Sequence, residues 1–355
     1  ALPCSVMNRR RVLQLGAGLG AAAGAAALGR RLLLPPSPSR DLRPARELAA
    51  DLVASLDPEA RAAACVEYDH PLRQYHNRGV WGGGLRVFGN LSRPQQRLVA
   101  DLFHAGLSPE GRGRVPDQFF VNWPGVNSMK VLVCGDPATP DWRVVLTGAH
   151  LNLRVGGPDR AGIAFGGPQV WGDQRGNGRR GLPRNVYRYQ LELGARLFEG
   201  LTAAQREAVT LPIAPIQTAI GLQGEQGAFP GVPVGELSRA GRDGARAVVD
   251  GILSTYPRED ADHARACLEA NGGVAALRLA YFREGPLDSI GASQVFRLEG
   301  PAAVFYFRGW PHVHAFLNVA MDGDAPLSVG ELLGENPAAL EGEGVRALFE
   351  LTRVG

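Results

Sequence analysis

Ala303-Val304-Phe305-Tyr306-Phe307-Arg308-Gly309-Trp310-Pro311-His312-Val313-His314-Ala315-Phe316-Leu317-Asn318-Val319 is a run of aromatic and β-branched residues interrupted once, around Gly309. Such a run predicts two strands, at 303–308 and 312–319. Alternate side chains of a pleated strand share a face, so His312 and His314 point to one side and Val313 to the other. Two imidazoles on one face can bind one metal ion. Upstream, Trp142 to Val155 predicts a second strand pair, and His150 opens its second strand. The sequence therefore offers a three-histidine site assembled from two remote strands. The rival reading gives the histidine pair ordinary hydrogen bonds in an exposed sheet.

Working outward, helices are predicted at 45–56, from Pro58 onward, and at 94–106, 184–198, 202–209, 239–253 and 260–271. Further strands are predicted at 118–122, 129–134 and 295–298. Strand and helix do not alternate regularly, which favours an α+β fold of helices with an antiparallel sheet over a doubly wound one. Residues 156–183 and 211–235 are rich in glycine and proline and read as long loops.

Asn90-Leu91-Ser92-Arg93 and Glu236-Leu237-Ser238-Arg239 each open a long helix, and each follows a shorter one starting near Leu56-Asp57-Pro58-Glu59 or Leu201-Thr202-Ala203-Ala204. With strand pairs 142–155 and 303–319 downstream, these matches suggest two divergent units near 52–157 and 197–323 about a pseudo-twofold axis. Chance similarity among leucine- and arginine-rich helices is the alternative. The organisation expected is 1–43 as leader and proline-rich join, 44–183 as a first helical and strand unit, and 184–355 as a second, sharing one compact domain.

The leader reads as an export signal. Met7-Asn8-Arg9-Arg10-Arg11-Val12-Leu13 places arginines before an apolar, small-residue run ending near Ala25-Ala26-Ala27, the order of a twin-arginine signal. Export machinery is thus an expected partner, and the periplasm or the extracellular space the expected location. The run is too glycine-rich for a typical span, so no permanent membrane span is expected. Residues 1–43 hold seven arginines and one aspartate, a net of +6, so the formal +3 of the 355-residue chain becomes −3 beyond them. No nucleic-acid partner is expected from that balance. Cys65, Cys134 and Cys267 are too widely spaced for a disulfide framework or a zinc knuckle; Cys65 and Cys267 read as buried small hydrophobes and Cys134 as a strand end, with a pairing between two of the three as the alternative.

Gly221-Leu222-Gln223-Gly224-Glu225-Gln226-Gly227 lacks the flanking strand and helix of a dinucleotide loop, so no nucleotide cofactor is expected. No Gly-x-Ser-x-Gly elbow is present either. Around the histidines, His76 is a possible fourth ligand. Asn152 and Asn318 share strand faces with His150 and His314 and could orient a ligand or hydrogen-bond a bound oxygen species. Glu67 and Asp69 are candidate bases or carboxylate ligands, with Glu225 no better placed. His70, His104 and His263 read as structural or exposed.

Several motifs over residues 50–330 resemble a bacterial family of domains of unknown function, number 3500 in that series. They include Leu56-Asp57-Pro58-Glu59-Ala60-Arg61, Gly106-Leu107-Ser108-Pro109-Glu110-Gly111, Gly148-Ala149-His150-Leu151 and Glu299-Gly300-Pro301 before the histidine pair. The family pattern has two adjacent histidines where this chain has Ala149-His150, and a His-Ile-His-Ser segment matched here by His312-Val313-His314-Ala315. The resemblance implies no reaction. The expectation is an exported metalloenzyme, a copper- or iron-dependent oxidoreductase acting on a small molecule. A zinc hydrolase and a non-catalytic metal or small-molecule binding protein are the alternatives.

Overall fold

The computed structural model describes residues 43–73, 84–114, 129–148, 150–156, 162–173, 185–215, 220–283 and 295–323. The leader, His76 and the strand expected at 118–122 lie outside them. The described residues form an α+β fold of 10 helices on a mostly antiparallel, 12-stranded sheet.

Chain order begins with α1 (Ala45–Ser55), α2 (Pro58–Ala64), β1 (Cys65–Val66), β2 (Leu85–Arg86), the kinked α3 (Val87–Asn90), α4 (Arg93–Ala105) and α5 (Pro109–Arg114). Strands β3 (Lys130–Gly135), β4 (Trp142–Gly148), β5 (Leu151–Val155) and β6 (Gln169–Asp173) follow. The second half runs α6 (Arg188–Glu199), α7 (Ala203–Val209), β7 (Thr210–Leu211), β8 (Val232–Pro233), α8 (Arg239–Leu253), α9 (Arg258–Ala270) and α10 (Gly273–Ala276). It closes with β9 (Arg278–Phe282), β10 (Val295–Gly300), β11 (Ala303–Arg308) and β12 (Val313–Val319).

Helix starts follow from local chemistry. Asp57 accepts from the Ala60 amide at 2.8 Å, and Ser238 accepts from the Gly241 amide at 3.0 Å. Ser92 with Gln95 and Thr202 with Gln205 form capping boxes. Each cap satisfies amides that the first turn leaves open, contributing about 1 kcal/mol.

The sheet runs β1-β3-β4-β5-β6-β12-β11-β10-β9-β7, with β2 on β3 and β8 on β9. The pairing order reads alike from both ends, since β1 is parallel to β3 as β7 is to β9. This property of the topology sets β4–β5 against β10–β11, not 142–155 against 303–319 as the sequence matches suggested.

One face of the sheet meets the helices. Val144 and Leu146 of β4 and Val313, Ala315 and Leu317 of β12 join Leu52, Val99, Leu197 and Val248 in the main core. The alternate side chains turn to the opposite face, where Val170, Val304, Tyr306 and Phe316 form a smaller cluster. Among the described residues Cys65, Cys134 and Cys267 form no disulfide, and burial pushes the Cys134 thiol up to about 12.

Both loops expected at 156–183 and 211–235 contribute strands, the second through β8. The 156–183 loop contains β6, which occupies the middle of the sheet against β12. Residues 278–282, not expected as a strand, form β9.

Candidate metal centre

His150, His312 and His314 come together. Each offers one nitrogen, and the three atoms lie within 4.8 Å of one another. His150 Nε2 is 3.3 Å from His312 Nε2, and His312 Nε2 is 2.8 Å from His314 Nε2. All three rings are partly buried. No Asp, Glu or Cys belongs to the group among the described residues, so the donor set is all imidazole.

Register builds this cluster. β11 and β12 pair with Arg308 opposite His314, leaving residues 309–313 to turn the hairpin and hold His312 over the same strand end. On its other side His314 is opposite Gly172 of β6. Leu151 is opposite Trp171 in the β5–β6 pairing, so continuing that register by one residue brings His150 beside Gly172 as well. β5 and β12 are therefore not neighbours, and their histidines meet across the glycine of the strand between them. A Cβ at Gly172 would stand 3.1 Å from His150 Cδ2 and 3.3 Å from His314 Cδ2, and closer still to the Val313 carbonyl oxygen. The absent side chain of residue 172 makes room for two rings.

Electrostatics favour neutral imidazoles. Burial, then the neighbouring His312, lower His150 to about 4, against the upward pull of Asp173. Burial, then the Arg308 charge, lower His312, again opposed by Asp173. A neutral imidazole has a lone pair to give, the state a metal ligand requires. Asp173 is fully buried, and its Oδ2 accepts from the Val186 amide at 3.0 Å. Arg308 Nη2 stands 3.1 Å from His314 Nδ1.

The other residues singled out in the sequence have different surroundings. Glu67 and Asp69 are exposed beside β1, at the far edge of the sheet, with Asp69 3.6 Å from Arg73. Glu225 is exposed in the 220–231 connection. None of these three acids belongs to the histidine group. His70 Nδ1 accepts from the Leu72 amide, a local turn role. Asn152 is buried and its Oδ1 accepts from Arg154. Asn318 is 2% exposed, and neither polar atom of its side-chain amide has a hydrogen-bond partner among the described residues. Buried amides are ordinarily satisfied, so Asn318 stands out on the face that carries His314.

Sequence reasoning missed three participants: Gly172, Asp173 and Arg308. Arg308 had a usable signal, because a short hairpin between 308 and 314 makes them cross-strand neighbours. The other two depended on recognising β6.

A helix-backed antiparallel sheet carrying three histidines at the meeting of its two halves defines a candidate metal-binding protein in structural terms. The chain belongs to the family described as protein of unknown function (DUF3500), which matches residues 39–324. No curated protein and no solved structure matches the chain. No helix among the described residues is long and apolar enough to cross a membrane.

Proposed function

We propose that His150, His312 and His314 bind one transition-metal ion through their Nε2 atoms, and that this centre performs the protein's chemistry on a small molecule. The convergence of three imidazoles, with burial lowering the pKa of His150 and His312, carries the reading. Nitrogen ligands about 2.0–2.1 Å from an ion lie about 3.3–3.4 Å apart in a tetrahedral set and about 3.0 Å apart at right angles. Two of the three separations, 3.3 and 2.8 Å, lie close to those values, and the third is within 4.8 Å, so the rings close on an ion by drawing His150 and His314 together. Three protein ligands leave a position for substrate.

An all-imidazole set suits copper, zinc, nickel or iron. Redox chemistry at copper or iron is the reading we carry forward, in an exported protein. Its support is that a zinc hydrolase assisted by Glu67, Asp69 or Glu225 would need a base at the centre, and these acids lie outside the group. Elemental analysis of protein purified from its native compartment tests this directly. Copper or iron at one ion per chain, with substrate turnover lost in His314→Ala while folding is kept, is the expected result. Stoichiometric, redox-silent zinc would move the assignment to hydrolysis, and metal-loaded protein without turnover would leave a binding protein.

A further inference from the structure

We infer that a cavity behind the histidine strands holds one small apolar molecule, and that its occupant is dioxygen, the co-substrate on which chemistry at copper or iron would draw. Occupancy of this cavity needs no metal, so its test is separate from that of the histidine centre.

The cavity lies where the two halves of the molecule meet. Phe103 near the end of α4 and Leu107 just beyond it close one side, and Leu151 and Leu153 of β5 with Trp171 of β6 form the floor. Tyr187 and Gln190 come from the start of α6, and Thr255 and Tyr256 from the turn after α8. All nine side chains are buried. Strand alternation fixes the relation to the histidines. Leu151 follows His150 and faces the main core, as Trp171 does immediately before Gly172. The cavity therefore lies behind the strand ends whose other face carries the His150 and His314 rings.

Size limits the guest. The centre of a water-sized molecule has about 20 Å³ in which to move. A single water needs about 10–15 Å³ by that measure, so one molecule of two heavy atoms fits and a larger substrate does not. Voids of this kind are few in a close-packed interior.

The chemistry of the walls decides between water and an apolar guest. A buried water is ordinarily held by about three hydrogen bonds to polar groups that lack other partners. Here the polar side chains at the wall are engaged with the protein. Gln169 Oε1 accepts from the Arg154 amide at 2.9 Å, and its Nε2 donates to the Arg154 carbonyl at 3.1 Å. Trp171 Nε1 donates to Gln190 Oε1 at 3.1 Å, and Gln190 Nε2 donates to the Tyr189 hydroxyl at 2.8 Å. That hydroxyl is in turn 2.8 Å from Thr255 Oγ1. The Tyr187 and Tyr256 rings stand 6.1 and 6.4 Å from that of Trp171, adding aromatic carbon to the leucine methyls. No charged side chain among the described residues lines the cavity. An apolar diatomic gains dispersion contacts with such walls and gives up no hydrogen bonds in water.

The test is methyl NMR of metal-free protein with labelled leucine, under dioxygen and under dinitrogen at the same pressure. Dioxygen is paramagnetic and speeds the relaxation of methyls that it touches. The Leu107, Leu151 and Leu153 methyls should show a larger enhancement than those of Leu48 and Leu298, which are buried elsewhere in the same core. Leu107→Phe, which fills the space, should bring Leu151 and Leu153 down to the level of Leu48 and Leu298. Equal enhancement at all five leucines of the wild type would overturn the inference, and that comparison stands by itself should Leu107→Phe fail to fold. A long-lived water detected at the Leu151 and Leu153 methyls under dioxygen would overturn it as well, by showing that water holds the site. Enhancement that survives unchanged in folded Leu107→Phe would overturn the assignment to this cavity. Since no metal takes part, each of these results leaves the histidine centre to its own test.

Discussion

Gly172 is paired with His314 across β6 and β12, and its missing side chain is the space in which the His314 and His150 rings stand. A central strand ordinarily gains from a β-branched residue at such a position. Here a side chain would collide with the carbonyl of Val313 and press on both imidazoles.

Gly172→Ala should therefore cost about 1–3 kcal/mol of stability, as overpacking does. It should also weaken metal binding by at least about tenfold, since the ligands lose their common focus. Chemical denaturation and a metal competition assay on the same preparation check both. Unchanged metal affinity with normal folding would mean that Gly172 does not set the ring positions.

Asp173 is the acid coupled to this centre, and burial among the Val186 and Asn185 contacts holds it in place. Replacing it with Asn keeps the shape and removes the charge. Metal affinity should fall about 10–100-fold in Asp173→Asn, the usual scale for groups behind the ligands. Equal affinities in the two proteins would remove Asp173 from the account.

The pH dependence of the metal-free protein has a definite sign. His150 titrates near 4 in the folded chain because burial and His312 disfavour its charge, and an unfolded histidine titrates near 6.5. Between those values the unfolded state binds the extra proton, so stability rises with pH across this window and levels off above it. His150→Gln should flatten that part of the profile. Denaturant midpoints at pH 7 and pH 5 should differ more in the wild type than in the variant, and equal differences would contradict the shift.

Away from the centre, Arg297 and Glu299 form a buried pair at 2.8 Å on the same face of the sheet, with Gln223 donating to Glu299 at 2.8 Å. Glu299→Ala leaves a buried guanidinium uncompensated and should cost about 3–5 kcal/mol. Replacing both partners with apolar residues should be much milder. Thermal melts of the single and double variants decide the point, and equal losses would show that packing, not charge, dominates there.

How far the sequence could be read depended on whether local and tertiary preferences agreed. Helices α4 and α8 follow Ser-Arg starts with apolar periodicity, and α8 was read at its observed ends. β11 carries a continuous aromatic and β-branched run, and β10 and β12 carry Val and Phe among polar residues, so each is visible in the sequence. β6 carries only Val170 and Trp171 as strand formers, flanked by Gly166-Gly167-Pro168 and interrupted by Gly172. Glycine lowers strand propensity, yet the site requires it there, so the strand that joins the halves was hidden by the demands of the site. β9 follows the alanine-rich Gly273–Ala276 turn of helix, and Leu279 and Ala280 within it do not distinguish strand from helix. The two-residue β1 and β7 have no period to detect.

The three histidines were legible because strand parity places His312 and His314 together and His150 opens a strand of its own. Their meeting was expected from equivalent strands near an axis. It is achieved instead through β6, with Gly172 between His150 and His314.

The most direct test of the metal centre is equilibrium dialysis of metal-free protein against copper, zinc and iron, in wild type and in His150→Ala, His312→Ala and His314→Ala. The wild type should bind one ion per chain of at least one of these metals. Each variant should bind that metal at least about 100-fold more weakly, as expected when one of three ligands is removed from a site. One ion per chain at wild-type affinity in any of the three variants would contradict a site built from all three histidines.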